Sequence, residues 1–264
     1  MRQRRIKNLD EKMEYLADLT VGDPVSQKGK WRELYGPELS RDIEDDSRCV
    51  DGTTSLDERP MLFAEIGCGK GKFIRDMALI HPDRKYIAFE GNQSVVYHAM
   101  QKVDESGLAN IRFVTNYIDM MDEFFEDGEL DGIYLNFSDP WPKFKHEKRR
   151  LTAGKRLDSY VKSVRKGGFI EFRTDNDELF EYTMNTMMEQ SGIKIVAVTN
   201  DLHGEIHEIA SRIDLTELTD AGFEDGIDES LTTLEDLSVT SEYEDKFSSR
   251  GKNINYVRVK VIQE

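Results

Sequence analysis

A short apolar run, Met61-Leu62-Phe63-Ala64-Glu65-Ile66, passes straight into Gly67-Cys68-Gly69-Lys70-Gly71 and then into a helical pattern at 72–79. A buried strand that feeds a helix through alternating glycines has few folds open to it. Its partners must be parallel strands reached by crossovers, because a tight hairpin cannot join parallel neighbours. The rest of the chain supplies them. Apolar segments at 86–90, 110–114, 132–137, 168–173, 193–198 and 254–261 read as strands, and 94–103, 151–164 and 178–190 read as helices. This alternation predicts an α/β fold, a doubly wound and mainly parallel sheet, within a single domain spanning 1–264. Three stretches fall outside the rhythm: a basic N-terminal extension at 1–20 leading into an amphipathic helix, and acidic insertions near 38–60 and 203–240. Within the second insertion, Ile209, Ile213, Leu215 and Leu218 recur at helical spacing.

Charge and composition exclude several classes. No run of about 18 apolar residues offers a membrane span. The basic start leads into no apolar secretory core, so the cytoplasm is the expected address. Two cysteines, Cys49 and Cys68, make no disulfide framework and no zinc pair. The net charge of −16, from 36 basic and 52 acidic residues, argues at first against nucleic acid. Most of that charge sits in the two acidic stretches, however, and phosphate contacts depend on local basic patches rather than on the total. An RNA partner stays open.

The chemistry gathers at strand ends. Gly67, Gly69 and Gly71 let backbone pass close to a ligand and set helix amides beside it. The dinucleotide fingerprint places its third glycine one position later. This turn reads E-x-G-x-G-x-G instead, a form typical of S-adenosylmethionine (SAM) enzymes. Glu90, ending the second strand, can accept both hydroxyls of a ribose. Asn116, just past the third, offers either an adenine-edge contact or a turn. The fourth strand ends in Asn136-Phe137-Ser138-Asp139-Pro140-Trp141-Pro142-Lys143, a rigid acid beside a flat apolar surface. In an open α/β sheet, that end lies next to the first strand, where ligands bind. Seven bases follow between Lys143 and Arg156, with one histidine and a single acid, Glu147, suited to the phosphates of a polymeric substrate. Asp175 ends the fifth strand on the same edge, and spacing favours it as the cap of the next helix. The stretch from Ser241 to Phe247 reads as a loop return. His203-Gly204-Glu205-Ile206-His207 lacks the order of a metal motif, and no metal is expected.

With these motifs in one order, the chain resembles the bacterial tRNA (guanine-N7)-methyltransferases, which use SAM to methylate the variable-loop guanosine at tRNA position 46. The most specific match runs from Tyr134 through Lys143 to Leu151. Lys28-Gly29-Lys30-Trp31, Thr174-Asp175-Asn176 and Glu242-Tyr243-Glu244 with Lys246-Phe247 match as well. The resemblance implies a Rossmann-like SAM-dependent methyltransferase fold with an antiparallel last strand. It implies SAM contacts from Glu65, Glu90, Asn116 and Asp139, with Asp139 also the catalytic candidate. It further implies tRNA contacts from Lys143, Asp175, Ser241, Glu242, Tyr243 and Glu244. Asn116 stands where many relatives have Asp, and Ser241 where Thr is usual. The implied partner is tRNA rather than DNA or a membrane, with either a monomer or a homodimer compatible with the chain.

Overall fold

The computed structural model describes residues 6–35, 59–220 and 232–262, without the side chains of 215–220. The basic tip at 1–5, nearly all of the expected insertion at 38–60, and the side chains of Leu215 and Leu218 therefore lie outside the described residues. In chain order come α1 (Leu9–Tyr15), β1 (Leu62–Ile66), α2 (Lys72–Ile80), β2 (Lys85–Phe89), α3 (Gln93–Glu105), β3 (Ile111–Val114) and β4 (Leu130–Asn136). They are followed by α4 (Gly154–Ser163), β5 (Val164–Thr174), α5 (Asp177–Glu189), β6 (Ile193–Thr199), α6 (Ile206–Asp220), α7 (Leu234–Ser238), α8 (Glu242–Ser248) and β7 (Asn255–Val261).

The strands form one sheet in the order β3-β2-β1-β4-β5-β7-β6. Strands β1 to β5 pair in parallel. β7 runs antiparallel between β5 and β6, so the expected antiparallel last strand is present. β1, β2 and β4 are buried along their whole length, which explains why they read as unbroken apolar runs rather than alternating ones. The chain winds outward from β1 through β2 to β3, then returns to place β4 on the other side of β1. Ligand crevices form where the winding reverses in this way.

Alternation along β1 divides the core. Leu62, Ala64 and Ile66 face one apolar layer, together with Ile87, Phe89, Ile133 and Leu135. Phe63 faces the other, where its ring meets Tyr86 at 5.7 Å, Phe169 at 5.8 Å and Tyr134 at 6.0 Å. Trp31 belongs to the first layer. It stacks on Phe125 at 5.0 Å, its indole N–H donates to the Phe124 carbonyl at 2.7 Å, and Gly29 N–H donates to Glu129 at 3.0 Å. The Lys28–Trp31 motif is thus an anchor of the N-terminal segment in the core. α1 lays Leu9 and Met13 on the second layer, which accounts for the amphipathic pattern.

A third apolar cluster joins Ile209 and Ile213 of α6 to Leu202, Leu237, Ile254 and Tyr256. The ends of the second acidic stretch are therefore part of the core. Their tie is electrostatic as well. Asp236, in α7, forms a capping box with the N-cap Thr233, accepting from its backbone N–H at 3.0 Å, and reaches His81 and, at 3.2 Å, Arg84. Burial would raise the Asp236 pKa, but the bonds from His81 and the Thr233 backbone, with the Arg84 charge, hold it below the ordinary carboxylate value. A depressed carboxylate stabilises the fold above its unfolded pKa, and that contribution is lost as pH falls through the folded value. We expect Asp236→Asn to lower stability at pH 7 by on the order of 3–5 kcal/mol, since it removes the anion that faces the buried Arg84 guanidinium. Urea unfolding across pH should show the gap to the parent protein closing as pH drops below about 4.

Candidate active site

The glycine turn follows β1 at the switch point. Gly67, Gly69 and Gly71 all have left-handed backbone, with φ of 77°, 57° and 74°. Their reasons differ. A Cβ on Gly71 would lie 2.6 Å from that of Ala99, so this glycine lets α2 approach α3. A Cβ on Gly69 would meet nothing within 4 Å, so the bare backbone there faces open space that a ligand can enter. The turn is pinned to β2 by Gly67 and Cys68 N–H groups, both donating to the Phe89 carbonyl at 2.8 and 3.0 Å.

Glu65, two residues before Gly67, is buried. Its Oε1 accepts from Asn136 Nδ2 at the end of β4, at 2.9 Å. Glu65 Oε2, Asn136 Oδ1 and Ser138 Oγ have no protein partner, leaving three unsatisfied polar atoms at the adjoining ends of β1 and β4. Buried polar atoms are normally paired, and a set of orphans on a crevice marks a place for a ligand. Burial raises the Glu65 pKa to about 8. Asn136 opposes the shift, the Glu242 charge adds to it, Arg173 opposes it, and Glu90 adds to it.

Glu90 follows β2. Its Oε1 accepts from Asn92 N–H at 2.8 Å. Its pKa is raised by burial, opposed by backbone bonds that include one from Gly69, and raised further by the Asp139 charge. Glu65, Glu90, Asp139 and Glu242 thus surround one glycine turn. Among the described residues no group of these side chains could hold a metal ion. The donor set does fit SAM. The unpartnered Glu65 oxygen suits an ammonium, Glu90 suits ribose hydroxyls, and the open backbone of Gly69 admits the chain between them. Asn116 is exposed just past β3. Beside it Tyr117, which composition and motif gave no reason to notice, lays its ring against Gly91.

Asp139 is exposed in the turn after β4. Lys143 opens a tight helical turn over 144–149 and is exposed, as are Lys145, Lys148 and Lys155. Of the other bases in the run, Arg150 and Arg156 are partly buried, while Arg149 is exposed. Arg156 donates to the Ile118 carbonyl at 2.6 Å and to Asp119 at 2.7 Å. Arg149 lies over the Trp141 ring at 4.9 Å, and Arg150 over Tyr182 at 4.2 Å.

Two expectations need correction here. Asp175 does not cap α5. The cap is Asn176, whose Oδ1 accepts from Leu179 N–H at 2.8 Å, while Asp175 pairs with Lys252 at 3.5 Å. The stretch after Ser241 is not a loop return but α8, opened by a capping box between Ser241 and Glu244. Glu244 is fully buried, facing Arg173 at 3.5 Å and His203 at 3.2 Å. Ser241 is buried too. Glu242 and Tyr243 project from the same turn. Glu242 Oε2 accepts from Lys72 N–H at the start of α2, at 3.4 Å, and the side chain pairs with Lys102. Tyr243 is 53% exposed.

Sequence reading passed over Arg173, whose guanidinium lies within the core between these acids. The alternation of Glu171 and Arg173 inside an apolar strand was the available signal.

A carboxyl whose folded pKa is raised stabilises the fold below its unfolded value and loses that contribution as pH climbs through the folded one. Between about pH 4.5 and about 8, ionisation of Glu65 should therefore erode stability. Glu65→Gln removes the proton equilibrium. Its melting temperature should stay flatter than the parent's across this range. Parallel curves from differential scanning calorimetry would show that Glu65 ionises freely in the fold.

Comparison with known proteins bears on this arrangement. A family model described as a putative methyltransferase matches residues 59–257. Among curated relatives, the tRNA (guanine-N(7)-)-methyltransferase of Geobacillus kaustophilus is 35% identical over 254 residues, covering 96% of this chain and 94% of that one. The protein of the same name from Lactococcus lactis subsp. cremoris is 34% identical over 262 residues, 99% of each chain. That of Streptococcus pneumoniae is 35% identical over 256 residues, 96% of this chain and 97% of its own. Among solved structures, an rRNA methylase from Streptococcus thermophilus superposes on 77% of this chain and 88% of its own, with 10% identity and a TM-score of 0.47. On the breadth of the family match and the full-length identity of these relatives, the chain belongs to the tRNA (guanine-N7)-methyltransferase family.

Proposed function

We propose that this chain transfers the methyl group of SAM to N7 of guanosine 46 in the variable loop of tRNA, forming 7-methylguanosine. The observation that carries the reading is the convergence of Glu90, Gly69 and Asp139 at the β1–β4 switch point, with exposed lysines continuing from the Asp139 turn. The specific run from Tyr134 to Leu151 supports the choice of guanosine 46. The reaction belongs to the cytoplasm, with tRNA. Among the described residues no helix is long and apolar enough to cross a membrane.

Bound at the glycine turn, SAM supplies a methyl group on a positively charged sulfur that a lone pair can displace, leaving a neutral thioether. Guanine N7 carries such a lone pair on its major-groove edge, so no base has to remove a proton first. The protein's task reduces to aligning the reactants and stabilising the positive charge that arrives on guanine. Glu65 accepts from the ammonium of the cosubstrate, Glu90 from its ribose, and Asn116 meets its adenine. Asp139 either accepts from the guanine N1–H and N2–H groups or balances the charge gained by the ring. Lys143, Lys145 and Lys148 meet phosphates, and Asp175, Glu242 and Tyr243 border the RNA. Ser241 and Glu244 serve the substrate by holding the start of α8 in place.

Methyl transfer to an unmodified tRNA transcript, beside one carrying adenosine at position 46, tests the reading directly. Label should enter only the guanosine transcript. Label on neither would move the chain to another substrate. Asp139→Ala should slow single-turnover transfer by about a hundredfold, a loss typical of removing one preorganised charge-stabilising group. SAM affinity measured by calorimetry should change far less. Equal losses in rate and affinity would make Asp139 chiefly a cosubstrate ligand.

A further inference from the structure

The turn that carries Asp139 is held in an unfavourable shape. Two non-glycine residues flank it in left-handed conformation, Phe137 at φ 51° and Trp141 at φ 40°. Side chains with a Cβ avoid this region, and such residues persist only where their surroundings enforce it. Phe137 has its enforcement within the sheet and α8. Its N–H donates to the Arg173 carbonyl at 2.9 Å, and its ring stacks on Phe247 with centroids 6.4 Å apart and planes 16° apart.

The other end relies on the basic run. Arg150 directs its fork at two successive carbonyls. Nε–H donates to Pro140 at 3.1 Å and Nη2–H to Trp141 at 3.3 Å. The flat face of the same guanidinium rests over Tyr182 of α5 at 4.2 Å. Arg149 covers the Trp141 ring, and His146 meets it edge-on at 5.6 Å. The next residue, Leu151, is the nearest neighbour of the position a Cβ on Gly67 would take, at 3.8 Å. Arg150 therefore sits between the Asp139 turn, α5 and the glycine turn. A planar fork can satisfy two acceptors and stack at once, whereas the single ammonium of lysine cannot.

We propose that, for the methyl transfer argued above, Arg150 is a positioning residue that clamps the Asp139-Pro140-Trp141 turn, and that it is not one of the contacts to tRNA phosphate. The basic run divides accordingly. Its exposed lysines face the RNA, and Arg150, less exposed than its neighbour Arg149, holds the catalytic turn. Conversion of Arg150 to lysine keeps the charge and loses the fork. Conversion to glutamine loses both. If geometry is what matters, the two variants behave alike.

The test uses Arg150→Lys and Arg150→Gln in the full chain, each checked for a parental melting transition. Single-turnover transfer at saturating SAM and tRNA should fall roughly ten- to a hundredfold in both, the loss expected when a reacting group is slightly misplaced. The slope of log tRNA affinity against log salt should match the parent in both. A phosphate contact would give the opposite pattern. Arg150→Lys would then keep rate and slope, and Arg150→Gln would reduce the slope by about one while keeping the saturated rate.

A readout independent of activity separates this proposal from the functional reading on which it rests. The chain has two tryptophans, and Trp31 is fully buried, so acrylamide quenching reports Trp141. Both variants should raise the quenching constant. Parental quenching in both would overturn the clamp even if the parent protein methylates tRNA. Raised quenching in both variants, beside a parent protein that methylates no tRNA, would uphold the clamp and reject the substrate.

Discussion

A buried guanidinium organises the region around the crevice. Arg173, near the end of β5, is 1% exposed and cannot be stripped of its charge, so the fold must bring anions and carbonyls to it. Glu171 approaches from its own strand at 3.9 Å and Glu244 from α8 at 3.5 Å, while the Val239 carbonyl accepts at 2.7 Å. Phe73 of α2 and Tyr256 of β7 cover its faces at 5.3 and 5.8 Å. Burial alone would lower the Arg173 pKa, but Glu244 and Glu171 raise it above the ordinary value. One side chain thus fixes the segment after α7 across the start of α2, and with it the position of Glu242 over the glycine turn. Because the Arg173 carbonyl also receives Phe137 N–H, the same residue sets the entry to the Asp139 turn.

The distribution of acid follows a consistent logic. Four carboxylates stand around a pocket suited to a cosubstrate with a positive sulfur and an ammonium, whereas the exposed lysines lie one turn further along the chain. On the proposed function the acids meet the cosubstrate and the lysines the RNA, each with charge of the opposite sign. The second acidic stretch contributes through its end, where Asp236 pairs with His81 and with the Arg84 guanidinium.

Much of this was legible in the sequence because it depends on periodicity. The strands, their order of appearance and the concentration of motifs at strand ends follow from apolar runs punctuated by glycine and proline. Boundaries moved by a few residues where pairing decided them. β5 begins at Val164 rather than near 168, because a register shift opposite Leu130 and Gly132 lets the strand start early. What periodicity does not carry is the partner of a polar side chain. Asp175 and Asn176 are both good caps, and only the path of the chain chose Asn176. Ser241 and Glu244 spell a capping box three residues apart, yet a nearby resemblance to substrate contacts drew notice away from that local rule. The basic run reads as uniform in one dimension, and only its folding separates the partly buried Arg150 and Arg156 from the exposed lysines.

The placement of β7 has a consequence for the order in which the molecule can be completed. Among the described residues β6 pairs only with β7, and β7 lies between β6 and β5. During synthesis, β6 and α6 emerge before the strand that will join them to the sheet. Until residues 255–261 leave the ribosome, β5 presents an open edge and the cluster around Ile209 lacks Ile254 and Tyr256. The nascent chain therefore holds an unpaired, partly apolar margin until β7 follows, a form in which proteins are prone to associate wrongly. Insertion of β7 between β5 and β6 is what covers that margin.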